Sequence, residues 1–422
     1  MPSLHRLKWR RFRIVENFGF TGQNFKIVLD LTPFGCVILR IKLEVTRTFE
    51  FRESLMELLV NVPVLVAANK EMPMTKVLVE DPRAGEVRVK MFASGVCHSC
   101  LHAYDGSHAT PMPMILGDEG SGVVESVGSG VTTLVPGDHV IISWLLNCGT
   151  CPPCRDGKPA HCWAPSPFGA LLDNTQRFKN AETGEPVLHY GPATYAPYTV
   201  VPESSAIKIR KDMPLDKAAL IGCSVTTGFG AVTNAAGARP GESVAIVGCG
   251  GVGLNAVQGA RIAGAHPIIA IDTSESALKM AQKFGATHLI NAAKSNVVEE
   301  TLKICPRGVN YSIAAVGSTK AMQNGVEILG AGGTMIILGA PPNGALLELD
   351  PIFILGKERG IRGSKYGSSN PHVEFPMLIE LYLAGKLDLD SLVTGNYRIN
   401  QSNEAFEVLA KGGAGRGLIT FD

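Results

Sequence analysis

The stretch "SVAIVGCGGVGLNAVQGARIAGAHPIIAID", residues 243–272, decides the fold. Ser243 to Val247 is a short apolar, β-branched run, the composition of a buried strand. Gly248, Gly250 and Gly253 follow in G-x-G-x-x-G spacing, with Gly251 and Val252 inside it, and open a helical pattern. A second apolar run, Pro267 to Ile271, ends at Asp272, 19 residues beyond Gly253. Glycines in this order permit a tight turn, backbone approach to a pyrophosphate and close helix–strand packing. An acid ending the second strand is placed to bond a ribose 2′-hydroxyl and to repel a 2′-phosphate, which predicts NAD over NADP. The plainer reading is an ordinary βαβ unit with packing glycines.

Beyond this unit, strands and helices keep alternating. "HLIN" (288–291), "YSIAAVG" (311–317) and "GTMIILG" (333–339) read as strands, with helices near Asn296 to Lys303 and near Lys320 to Leu329. The pattern predicts an α/β chain with a doubly wound parallel sheet, a Rossmann domain over 223–363. At 422 residues the chain has room for two or three domains. A net charge of +1 with 18% charged residues gives no footing for nucleic acid. No apolar run reads as a membrane span: "FKIVLDLTPFGCVILRIKL" (25–43) is broken by Lys26, Asp30, Pro33 and Arg40.

Four of the ten cysteines fall in "NCGTCPPCRDGKPAHC" (147–162). Cys148, Cys151 and Cys154 stand at Cys-x2-Cys steps, and Cys162 returns a fourth sulfur. Such spacing lets thiolates close around one ion, and the count fits the sealed tetrahedron of a structural zinc better than an iron–sulfur cluster or two disulfides. The opening "MPSLHRLKWRRFRI" is basic, but no secretory apolar core follows it. Clustered thiols without an oxidising address point to a reducing, cytoplasmic setting.

Further motifs are "ASGVCHSCLHAYDG" (93–106), "LGDEGSGVVESVGSGV" (116–131), "HYGPATYAPYTVVPESSAIKI" (189–209), "IGCSVTTGFGA" (221–231) and "GRGLITF" (415–421). In this order, with the cysteine quartet, they resemble the zinc-dependent medium-chain alcohol dehydrogenases over about residues 63–422. The resemblance implies a GroES-like, β-rich catalytic domain at 63–222, completed by 364–422, around the Rossmann domain. It makes Cys97 and Cys223 thiolate ligands of a second, catalytic zinc and places Glu119 behind that metal. Ser99 and His102 match the hydroxyl and imidazole that relay the alcohol proton. His98 and Arg416 match cationic neighbours of the cofactor pyrophosphate, and Trp144 an aromatic wall of the substrate pocket. Singly, each has a plainer reading: Ser99 as a helix cap, Cys223 as a small buried hydrophobe, His102 as a surface histidine.

Two positions depart from the family. Residue 118 is normally a histidine ligand, and residue 100 the aspartate that hydrogen-bonds that histidine. Here they are Asp118 and Cys100. A carboxylate is an accepted zinc ligand, so Asp118 is expected in the ligand set; the bland alternative is a turn residue. Cys97-x2-Cys100 is itself a chelating spacing, which leaves Cys100 as an alternative third donor.

The resulting expectation is an NAD-dependent enzyme interconverting primary alcohols and aldehydes, with two zinc ions per chain. Rival readings are a zinc-independent enone or quinone reductase of the same superfamily, and a non-catalytic NAD-binding sensor. A glutathione adduct is not favoured, because the segment after His102 is short and has few cations. Family members pair through their Rossmann sheets, which implies a homodimer or homotetramer. Residues 1–62 precede the resemblance and lack periodicity; an upstream translation artefact is the favoured reading, and the Ser-poor composition weakens a transit segment.

Overall fold

The computed structural model describes residues 57–164 and 168–421, and the backbone of three strands before them. Those strands, Arg13–Phe20, Gln23–Leu31 and Val37–Lys42, form an antiparallel sheet in a unit of its own, Met1–Leu55. The artefact and transit readings of 1–62 therefore fall largely outside the described residues. The large unit spans Met56–Asp422, and its first strand, Leu58–Pro63, pairs with Met74–Val79.

The glycine-motif half forms a six-stranded sheet in which every pairing is parallel. From one edge its order is His288–Asn291, Ile268–Asp272, Val244–Val247, Val309–Ala314, Leu329–Ile337 and Gly360–Gly363. This is the doubly wound order, whose strand sequence reverses beside Val244–Val247 and opens a crevice at the carboxyl ends. Val244–Val247 is buried on both faces, as its unbroken apolar run requires. Leu329 begins a strand rather than ending a helix, which stops at Glu327.

The other half is β-rich and mostly antiparallel. Its central strand, Glu86–Gly95, pairs with Gly120–Val127, Tyr198–Pro202 and the returning Arg416–Thr420. That last pairing carries the far end of the chain to the foot of Cys97, where the Val96 amide bonds the Gly417 carbonyl at 2.9 Å.

Between the halves runs Leu215–Ala236, a continuous helical stretch of 22 residues with the length and hydropathy of a membrane span. This corrects the expectation that no apolar run reaches that length: Thr, Ser and Gly break the run by eye but not as a helix. Its most apolar 18 residues are 83% buried inside the fold, and the stretch serves as a core helix. Its turns alternate between α and π geometry, and Cys223 sits in the π turn Ile221–Val225. Such bulges are frequent at functional sites because they re-aim a side chain.

Candidate active site and metal centres

Cys97 sits in extended conformation as the N-terminal cap of the helix His98–Tyr104. Asp118 lies in the turn before strand Gly120–Val127, and Cys223 comes from the core helix. These three distant segments bring their donor atoms within 4.8 Å of one another, all buried. Cys97 Sγ and Cys223 Sγ are 3.9 Å apart, and Cys223 Sγ is 4.0 Å from Asp118 Oδ2. A tetrahedron with zinc–sulfur bonds of about 2.3 Å has edges of about 3.8 Å, so the spacing fits an ion at its centre.

The electrostatics also ask for a cation. The Cys223 thiol holds Cys97 down at about 5, against burial and with help from Arg416. Burial and then the Cys97 charge push the Asp118 carboxyl up to about 8, and hydrogen bonding to Cys97 followed by burial pushes Cys223 well up. Crowded anionic donors in a dry pocket resist ionising together, and a divalent ion relieves this by displacing their protons. Metal affinity should therefore rise with pH.

Cys100 is fully buried, with Sγ 3.8 Å from Asp118 Oδ1, but lies outside the three-donor group. Ser99 does not cap its helix: its hydroxyl donates to Asp118 Oδ2. Glu119, fully buried, accepts the Ser224 amide and hydroxyl on Oε1 and Arg416 Nε and Nη2, at 3.1 and 2.8 Å, on Oε2. Both of its oxygens are committed, so it positions Arg416 and the Cys223 turn. Breaking such a buried pair costs about 3–5 kcal/mol.

Arg416 also reaches the glycine loop, for a Cβ on Gly251 would lie 3.1 Å from Arg416 Cδ. Gly248 has φ +93°, and a Cβ on Gly253 would meet the Gly248 carbonyl at 1.8 Å. Gly250 faces open space, the cradle a phosphate needs, ahead of the helix Gly251–Ile262, whose first turn includes Val252. Asp272 ends its strand beside this loop, oriented by the amides of Cys249 (2.7 Å) and Ser274 (2.8 Å). The residues fit a dinucleotide.

Loop and donor group open into one cleft of about 610 Å³, lined also by His98, Ser99, His102 and Trp144. Confinement in the cleft, then the charges of Arg416 and His102, push the His98 imidazole down to about 4. Burial thus disfavours the charged imidazole at His98, whereas Arg416, paired with Glu119, keeps its charge. Burial, then His108, also lowers His102, whose Nδ1 has no partner among the described residues.

The sequence reading missed several wall residues: His108, Phe168, Tyr190, Lys365 and Tyr366. The His102 and His108 rings lie 4.8 Å apart, Phe168 packs edge-on against Tyr190 at 5.6 Å, and Trp144 meets Tyr366 at 4.9 Å. Tyr366 has φ +58°, a strained conformation for a bulky side chain, costing on the order of 1–3 kcal/mol. Its hydroxyl bond to the Gly222 carbonyl and its packing on Trp144 hold it there.

In the cysteine lobe, Cys148, Cys151, Cys154 and Cys162 also place their sulfurs within 4.8 Å of one another. Measured pairs are 3.5, 3.6 and 3.9 Å, again the edges of a zinc-sized tetrahedron, and the thiols are free. Amides of Cys148, Cys151 and Ala164 point at the sulfurs, as they do around metal thiolates. Cys151→Ser should leave one zinc per chain and lower the melting temperature by on the order of 10 °C, read by elemental analysis and scanning calorimetry.

A nucleotide crevice, a sealed sulfur tetrahedron and an open three-donor group on one cleft define a zinc-binding, NAD(P)-binding oxidoreductase. The comparisons agree: residues 83–211 match the alcohol dehydrogenase GroES-like domain and residues 251–384 the zinc-binding dehydrogenase domain. The chain belongs to the zinc-dependent alcohol dehydrogenase family and is an NAD-linked dehydrogenase. It is 36% identical over 371 residues to an S-(hydroxymethyl)glutathione dehydrogenase of Paracoccus denitrificans, covering 85% of this chain and 98% of that one. A zinc-binding alcohol dehydrogenase domain protein from Burkholderia ambifaria has a similar structure (TM-score 0.83, 36% identity, 87% of this chain and 100% of that one). So has a benzyl alcohol dehydrogenase from Acinetobacter calcoaceticus (TM-score 0.81, 32% identity, 86% and 100%).

Proposed function

We propose that the protein oxidises primary alcohols with an apolar, aromatic body to aldehydes, using NAD, and reduces the aldehydes in reverse. The observation carrying this reading is the single cleft that joins an open donor group, an aromatic wall and the glycine loop. The similar benzyl alcohol dehydrogenase supports an aromatic substrate. In this reading 63–222 and 364–422 form the catalytic domain and 223–363 the NAD-binding domain.

Cys97, Asp118 and Cys223 would hold the catalytic zinc, and Cys148, Cys151, Cys154 and Cys162 the structural one. When bound, the catalytic metal polarises the alcohol oxygen and the nicotinamide takes the hydride. The Ser99 hydroxyl, which donates to Asp118 Oδ2, would turn its hydrogen out toward His102 as its oxygen accepts the alcohol proton, so that one proton enters and one leaves. His102, three residues on along the same helix face and neutral near pH 7, can take a proton at its unpartnered Nδ1 and pass it toward solvent beside His108. Trp144 and Tyr366 press the alcohol's body against the cleft and keep water from it. NADH formation with a panel of primary alcohols tests the reading; no NADH with any of them would refute it.

Asp272 governs cofactor choice in this reading. Losing a charged acceptor for the 2′-hydroxyl should narrow the NAD over NADP preference of Asp272→Gly by roughly 10- to 100-fold in kcat/KM. A wild-type enzyme that prefers NADP would contradict it.

Self-association through the Rossmann sheet is also proposed. Leu346, Ile352 and Leu355 are 83%, 71% and 74% exposed in the segment leading into the edge strand Gly360–Gly363. Exposed apolar side chains beside an open sheet edge suit a symmetric partner. The clustered thiols suit a reducing compartment such as the cytoplasm.

A further inference from the structure

Two long cationic side chains line the cleft, Arg416 and Lys365. Arg416 is tied to Glu119. Lys365 has no carboxylate within ion-pair distance among the described residues; its ammonium lies over the Trp144 ring, 5.7 Å from the centroid. Lys365 is itself exposed, but the backbone that carries it is fixed. The next residue, Tyr366, is buried, held at positive φ and hydrogen-bonded to the Gly222 carbonyl beside Cys223, which fixes the backbone that carries Lys365.

Trp144 links this charge to the donor group. A Cβ on Gly191 would lie 3.7 Å from Trp144 Cβ and 3.9 Å from Asp118 Cβ, so both side chains leave the backbone around Gly191, on the wall of the same cleft. A ring lying along Trp144 with its carbinol among the donors thus points its far end toward Lys365. An ammonium on an aromatic face is positioned for an anion and keeps its hydrogen-bond donors available to one.

We propose that Lys365 makes the cleft selective for aromatic alcohols and aldehydes that carry a carboxylate at the end remote from the carbinol. This rests on the alcohol-oxidising reading of the same cleft. Wild-type enzyme should use 4-(hydroxymethyl)benzoate in preference to benzyl alcohol. Lys365→Met should lower the ratio of the two kcat/KM values by roughly tenfold or more, and Lys365→Arg should largely keep it. Calorimetric titration of the enzyme–NAD complex gives a readout independent of turnover: benzoate should bind more tightly than benzamide, and Lys365→Met should erase the difference. A ratio that Lys365→Met leaves unchanged would overturn the proposal. So would a rise in KM for NAD that is equal with both alcohols, which would give Lys365 to the cofactor. If neither alcohol is oxidised while benzoate still binds through Lys365, the alcohol-oxidising reading fails and the anion selectivity stands.

Discussion

Cys223→Ser should abolish turnover while the protein stays folded and keeps one of two zinc ions. Cys223 is one of three buried donors that converge from separate segments, and a serine hydroxyl is a far poorer metal ligand than a thiolate. Losing the metal removes transition-state stabilisation worth several kcal/mol, so kcat should fall roughly a thousandfold or more. The fold should survive because the swap is nearly isosteric and the helix around it is held by other contacts. Among these are the Ser224 bonds to Glu119 and the Tyr366 bond to the Gly222 carbonyl. Circular dichroism and kcat on one preparation separate the two effects. Unfolding together with loss of activity would make Cys223 structural.

The second large effect belongs to Asp118. Asp118→Ala should lose the catalytic metal and activity together, whereas Asp118→His should retain metal. The third anion also sets a pH dependence. With two thiolates and a carboxylate around it, a divalent ion carries a net negative inner shell and is a weaker Lewis acid than with two thiolates and a neutral imidazole. Alcohol oxidation limited by deprotonation should then need higher pH than in a Cys2His relative. The single histidine would lack an orienting acceptor, because Cys100 occupies that position, 3.8 Å from Asp118 Oδ1. Asp118→His combined with Cys100→Asp rebuilds the family pair, and its kcat–pH profile should move down by about one unit. Without metal, the carboxyl at about 8 is mostly protonated at pH 7, so affinity should fall as the pH is lowered. Metal retention and normal turnover in Asp118→Ala would return Asp118 to turn punctuation.

Features whose physics is local were legible in the sequence. The glycine spacing, the acid at the strand end and the four-cysteine loop each sit in one short stretch, and their geometry follows from spacing alone. The donor group was different: Asp118 and Cys223 stand 105 positions apart, and only resemblance joined them before folding did. The Glu119–Arg416 pair spans 297 positions and depends on the last strand returning beside Gly95. Lys365 and Tyr366 gave no signal, because a lysine–tyrosine step after a strand reads as a loop, and the positive φ at Tyr366 goes against its own propensity. His108 belongs to none of the motifs, and only folding brings its ring to 4.8 Å from His102. The core helix went unread because Thr, Ser and Gly interrupt its apolar residues, although its mean hydropathy still reaches that of a span. Ser99 was assigned a relay role, but no pattern in the sequence shows its hydrogen directed to Asp118.

The central claim is that this chain is a two-zinc, NAD-linked alcohol dehydrogenase whose catalytic ion is held by Cys97, Asp118 and Cys223. Zinc per chain, measured by elemental analysis on wild type and Asp118→Ala beside NADH production from a primary alcohol, tests it most directly. The account predicts two ions and turnover for the wild type, and one ion without turnover for the variant. One ion in carefully prepared wild-type protein, or two ions with undiminished turnover in the variant, would contradict it.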